Sequence, residues 1–167
     1  MNKRHLQKIV PLFVFLVLAA AGCSNRWKDP KVVINEIYRC SFSVERNDIS
    51  RHSDCIELYN PGKTSVSLNG CFLTDDEKNP QKYSLEGLIV PAGGYTLVWL
   101  DQNTGLRLSG EEDQLFLADA GEGDFLDHVI LPRLNRGASY GRVKDGGARW
   151  TVMTATLGSA NQEAVCR

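Results

Sequence analysis

Four carboxylates stand at strand-like positions of this chain, Glu36, Glu57, Asp75 and Asp76, and the cysteines Cys40, Cys55, Cys71 and Cys166 are spread through the same body. Paired carboxylates can divide acid and base work when their surroundings push their pKa values apart. The spacing does not by itself bring these four together, and strand-end acids commonly face solvent, so no catalytic set is assigned. A second acidic run, Asp119, Glu122, Asp124 and Asp127, offers oxygens to a hard cation but lacks the EF-hand order and its closing bidentate glutamate. A hairpin turn accounts for it. The histidines are His5, His52 and His128; no serine sits in G-x-S-x-G, and no H-E-x-x-H or phosphate-cradling glycine loop occurs. The expectation is a protein without catalytic residues, metal ligands or cofactor.

The cysteines point to cross-linking instead. None forms a C-x-x-C pair, and His52 is the only histidine near one of them, so zinc spacing is absent. An even number of cysteines in an exported body favours two disulfides. Cys40 ends one strand-like run and Cys55 opens the next, which favours Cys40 with Cys55 and leaves Cys71 with Cys166. Cys55 with Cys71, across neighbouring strands, is the main alternative, since four cysteines allow three patterns.

Export is read from the first residues, MNKRHLQKIVPLFVFLVLAAAGCSN. Lys3, Arg4 and Lys8 precede an apolar run from Ile9 to Ala21, and no acid appears before Cys23. That run is too short for a bilayer-spanning helix, and it closes on small residues as a secretory signal does. The ending AAAGC resembles the lipobox of bacterial lipoproteins. The resemblance implies removal of residues 1–22 and a diacylglycerol with fatty acyl chains such as palmitate on Cys23, which anchors the chain to a membrane; Ser24 in place of Asp favours the outer membrane over the inner. Residues 23–31 then form a tether.

Removing residues 1–22 leaves 16 Lys and Arg against 20 Asp and Glu, a net charge of −4 with histidines neutral. A mildly acidic body disfavours nucleic acid as a partner. One basic concentration remains: Arg133, Arg136, Arg142, Lys144 and Arg149, with Tyr140 and Trp150 interleaved. On strands it could form a groove for an envelope protein or an anionic polymer, the rings helping by stacking; otherwise it is a solvated face balancing the acids.

The elements that must position these residues are strands. VVINEIY, CIELYN, VSLNGCFLTDD, KYSL, GLIV, GYTLVWL, DQLFLA, FLDHVIL, ASYGRV and ARWTVM follow one another with no sustained helical period. Turn chemistry at Asn60-Pro61-Gly62, Asn69-Gly70, Pro91-Ala92-Gly93-Gly94, Gly121-Glu122-Gly123 and Asp145-Gly146-Gly147 separates them. The pattern predicts one all-β antiparallel domain over residues 32–162 and a tail, 163–167, carrying Cys166. Alternation puts Ile56 and Leu58 on one face and Cys55, Glu57 and Tyr59 on the other. Uniformly apolar GYTLVWL reads as a central strand, and the aperiodic stretch 41–54 as an insertion. Asn35, Glu36 and Glu57, polar inside strands, are expected at edges or bonded to loop backbone.

In order, VVINEI, DCIELYNPG, VSLNGCFLTDD, IVPAGGYTLVW, LSGEEDQLFLADAGEGDFLDHV, ASYGRVKDGGARW and TLGSAN resemble the lamin-tail domain. The resemblance implies an immunoglobulin-like β-sandwich, and for a bacterial chain with no companion catalytic domain it implies a binding or tethering role in the cell envelope. A small hydrolase or nuclease using the strand-end acids, and a purely structural envelope protein, are the alternatives. Cys55 and Cys71 stand where the bacterial pattern more often has tryptophan, so cross-links would replace aromatic packing.

Overall fold

The computed structural model describes residues 32–40, 53–100, 104–106, 108, 113–120 and 125–162. The signal, Cys23, the tether, most of the 41–54 stretch, His52, Glu122, Asp124 and the Cys166 tail lie outside them. Every regular element described is a strand: β1 (Val33–Tyr38), β2 (Asp54–Tyr59), β3 (Val66–Ser67), β4 (Cys71–Thr74), β5 (Tyr83–Ser84), β6 (Ile89–Val90), β7 (Tyr95–Leu100), β8 (Asp113–Asp119), β9 (Phe125–Leu131), β10 (Ser139–Arg142) and β11 (Trp150–Met153). No helix of the described residues is long and apolar enough to cross a membrane.

All pairings are antiparallel. One sheet runs β11-β10-β1-β2-β7, a second β5-β4-β8-β9, and a two-stranded ribbon β3-β6 stands apart from both. The period-two alternation becomes the core directly. Ile56 and Leu58 of β2 and Val98 of β7 share one cluster with Leu73 of β4, Leu115 and Leu117 of β8 and Val129 of β9. The ten expected runs all contain strands. VSLNGCFLTDD holds two, β3 and β4, because Gly70 takes a left-handed φ of 77° and turns the chain between them. Asn60 anchors the other early turn: its side-chain oxygen accepts the Gly62 amide (2.9 Å), and its amide group donates to the carbonyls of Thr64 (2.8 Å) and Val90 (3.2 Å).

β1 departs from strict alternation in a way that matters. Its register with β2 shifts between Ile34 and Glu36, so Asn35 is an extra residue, and Ile34 and Ile37 both reach the core while Glu36 points to the other face. Without the bulge, a polar residue would enter the core.

Two expectations are corrected here. β7 is an edge strand, not a central one. Its uniform hydrophobicity has another cause: Val98 and Leu100 are buried, while Leu97 and Trp99, half-buried on the opposite face, stand in register with Glu57 and Cys55. The Cys40–Cys55 bridge is not formed, and Cys55 keeps its thiol, with Sγ 3.8 Å from the Ile56 carbonyl. Register explains this. Cys55 faces Tyr38 on one side and Trp99 on the other. Cys40 lies two residues beyond Tyr38, a diagonal of about 7–8 Å in an antiparallel pair, outside the usual Cα spacing of a disulfide. Cys55 with Cys71 fails too, because Cys71 faces the core between the sheets while Cys55 alternates with the core residue Ile56 and points to the outer face. The large side chains around Cys55 come from the flanking strands.

Candidate functional site

The polar residues converge on the outer face of the five-stranded sheet. Glu36 and Glu57 are register partners on β1 and β2, and both are fully buried. What covers them is the segment after β11, residues 154–161, with the sequence TATLGSAN. The Thr156 amide donates to Glu36 Oε1 at 3.0 Å, and the Thr156 hydroxyl lies 2.6 Å from Oε2. The Gly158 amide donates to Glu57 Oε2 at 2.6 Å. Gly158 has φ near 80°, a turn geometry that favours glycine and here accompanies an amide aimed at the sheet.

Asn35, the bulge residue, links this pair to the β10–β11 hairpin. Its side-chain amide donates to Glu57 Oε1 (2.9 Å) and Asp145 Oδ1 (3.0 Å), and its oxygen accepts the Gly146 amide (3.1 Å). Asp145 also accepts the Asn161 amide (3.0 Å) and the Tyr95 hydroxyl (2.6 Å). The Asn161 side chain then donates to the Asn35 and Arg142 carbonyls at 3.2 and 2.7 Å. Close approach of this segment needs Gly141 beneath it. A Cβ there would sit 2.6 Å from Met153 Sδ and 3.1 Å from Asn161 Nδ2.

Burial dominates the electrostatics. Desolvation pushes Glu57 up to about 7, against the opposing donation of Asn35 and Gly158; the Glu36 and Asp145 carboxylates add to the rise. The Cys55 thiol is pushed well up, first by burial and then by Glu57 and Glu36. Burial and its bond to Asp145 likewise hold Tyr95 in the phenol form. Such a thiol is inert, and two carboxylates capped by backbone amides are acceptors of fixed donors.

The other acids do not join them. Asp75 pairs with Lys82 at 2.5 Å, and Asp76 Oδ1 accepts the Lys78 amide at 3.0 Å; both lie on the loop that follows β4 in the other sheet. Asp127 belongs to an ion pair, and among the described residues no three His, Cys, Asp or Glu side chains are grouped to hold a metal.

The basic surface is also corrected. Arg142 is buried: Nε donates to the Ile34 carbonyl (2.7 Å), NH1 to the Gly147 carbonyl, and NH2 to Asp127 Oδ2 (2.8 Å), with the guanidinium 4.7 Å from the Trp150 ring. Tyr140 and Trp150 stack on each other at 5.3 Å and pack on the core. They are structural. Arg133 and Arg136 precede β10 while Lys144 and Arg149 follow it, so the exposed cations fall at opposite ends of a four-residue strand. No single groove contains all of them.

Sequence reasoning missed Asp145, Thr156 and Asn161. The last two lie in TLGSAN, where the order of motifs pointed to a structural role but not to the carboxylates it serves. A family model described as Lamin Tail Domain matches residues 27–159. The chain belongs to the lamin tail domain family. The strands β1 to β11 and the first part of TLGSAN, through Ser159, lie within that match, and comparisons with curated proteins and with solved structures gave no match.

Proposed function

We propose that this lamin tail domain is a lipid-anchored, extracytoplasmic binding or tethering module of the bacterial cell envelope that performs no catalysis. The observation that best supports this is the use made of its polar strand residues. Asn35, Glu36, Glu57 and Asn161 bond to one another and to backbone under a covering segment, which commits them to holding that segment in place. Lipid on Cys23 places the module at a membrane, the outer one where there are two. The partner is an envelope protein or anionic polymer, met by the exposed cations Lys144 and Arg149 at one end of β10 or Arg133 and Arg136 at the other.

The test pairs acylation with capture. Fatty-acid labelling and membrane fractionation of Cys23→Ala should show an unlabelled, released protein; unchanged labelling defeats the anchor. Crosslinking in intact cells should give a saturable partner that weakens in Lys144→Glu/Arg149→Glu or in Arg133→Glu/Arg136→Glu. Without any saturable partner, the protein has a purely structural role.

A further inference from the structure

Two fully buried carboxylates face each other across neighbouring strands, and the segment that buries them contains no ionisable side chain between Thr154 and Asn161. The Arg142 guanidinium does not compensate them. Arg142 alternates with Gly141 along β10 and is held by Ile34, Gly147 and Asp127. The other titratable groups facing Glu57 are Glu36 on β1, Cys55 and Tyr59 on β2, Tyr95 on β7 and Asp145 on the β10–β11 hairpin, none of them a cation. Two like charges in such a site resist joint ionisation, and burial, with the facing Glu36 carboxylate, raises Glu57. The Thr156 hydroxyl lies near two acceptors, Glu36 Oε2 at 2.6 Å and Asn161 Oδ1 at 3.1 Å, and its single proton serves only one.

We propose that closure of residues 154–161 over the five-stranded sheet is linked to a proton, with Glu57, buried opposite the Glu36 carboxylate, as sensor and the Thr156 and Gly158 amides as latch. Lifting the segment exposes Glu57 to water and lets it ionise. Closing it takes a proton up. Glu57 returns to its ordinary 4.5 when the segment is open and stands near 7 when it is closed. Closure is therefore strongest below about 4.5, weakens about tenfold per pH unit between 4.5 and 7, and is nearly constant above 7, at most about 300-fold in all.

Amide hydrogen exchange of the mature protein, followed by NMR from pH 5 to 8 and corrected for intrinsic exchange, tests this. The protection of Thr156 and Gly158 should fall by about 40-fold between pH 5 and 7 and only about twofold more by pH 8, while Ile56 and Leu58 amides change far less. Glu57→Gln should flatten the profile. If that variant does not fold, side-chain carboxyl NMR of the wild-type protein decides: Glu57 must titrate near neutrality. Protection independent of pH, or a Glu57 that titrates below 5, overturns the proposal.

Discussion

Replacing Arg142 with methionine separates a structural arginine from a surface one. The guanidinium bridges two carbonyls and Asp127, the ion pair is 2.8 Å long, and its side chains are 9% and 15% exposed. Methionine keeps much of the apolar stem against Trp150 but leaves the Asp127 carboxylate with only the Ile34 and His128 amides, at 2.8 and 3.0 Å. Removing one partner of a buried pair costs about 3–5 kcal/mol, and residual solvent access places this case near 3. For a domain of this size that lowers Tm by about 10 °C. Urea unfolding followed by far-UV circular dichroism should give this loss with an unchanged m value. Lys144→Ala and Arg149→Ala, which remove exposed cations from the same hairpin, should stay within about 0.5 kcal/mol of wild type. The double variant Asp127→Leu/Arg142→Met should recover part of the loss, because no buried charge is then left alone. An Arg142→Met protein within 1 kcal/mol of wild type, or a Lys144→Ala protein that matches it, would refute this account of the hairpin.

Gly141→Ala should cost about 1–3 kcal/mol by the same assay, since its methyl meets Met153 and Asn161; a neutral result would mean that the 154–161 segment does not lie as close as described. Cys55 should resist iodoacetamide at pH 8 in the native protein and react fully in urea without reductant, read by peptide mass spectrometry, because its sulfur is a buried thiol with a raised pKa. Labelling that requires reductant would restore a bridge to Cys55.

Much of the sandwich was legible because its signal is local. Alternation in CIELYN and DQLFLAD assigns faces within each strand, and Asn69-Gly70 and Asp145-Gly146 mark turns where Gly70 and Gly146 adopt positive φ. What was not legible depended on which strands become neighbours. GYTLVWL carries the hydrophobicity of a central strand, yet strand order puts it at an edge, where Leu97 and Trp99 cover Glu57 and Cys55 rather than a second core. The Cys40–Cys55 expectation failed by two residues of register, a difference that no composition records. The basic cluster failed for a related reason. Of its cations only Arg142 lies on β10 and turns inward, while Lys144 and Arg149, past the strand, remain exposed on the hairpin.

The facing glutamates show how a costly arrangement can specify a structure. Burying two carboxylates without a cation is unfavourable, and hydrophobic residues at both positions would remove that penalty. They would also remove the only acceptors aligned with the Thr156 and Gly158 amides. The covering segment is itself a poor candidate for hydrophobic docking, since among its residues only Leu157 is large and apolar, and that side chain is only half-buried. Its placement must therefore rest on hydrogen bonds to fixed acceptors, which Asn35 aligns from the bulge in β1 and Asp145 from the hairpin. An acceptor that must be buried, strong and unaccompanied by positive charge is one whose protonation will follow the pH around it. The proton link of the segment thus arises from the same residues that give the chain a single way to close its outer sheet.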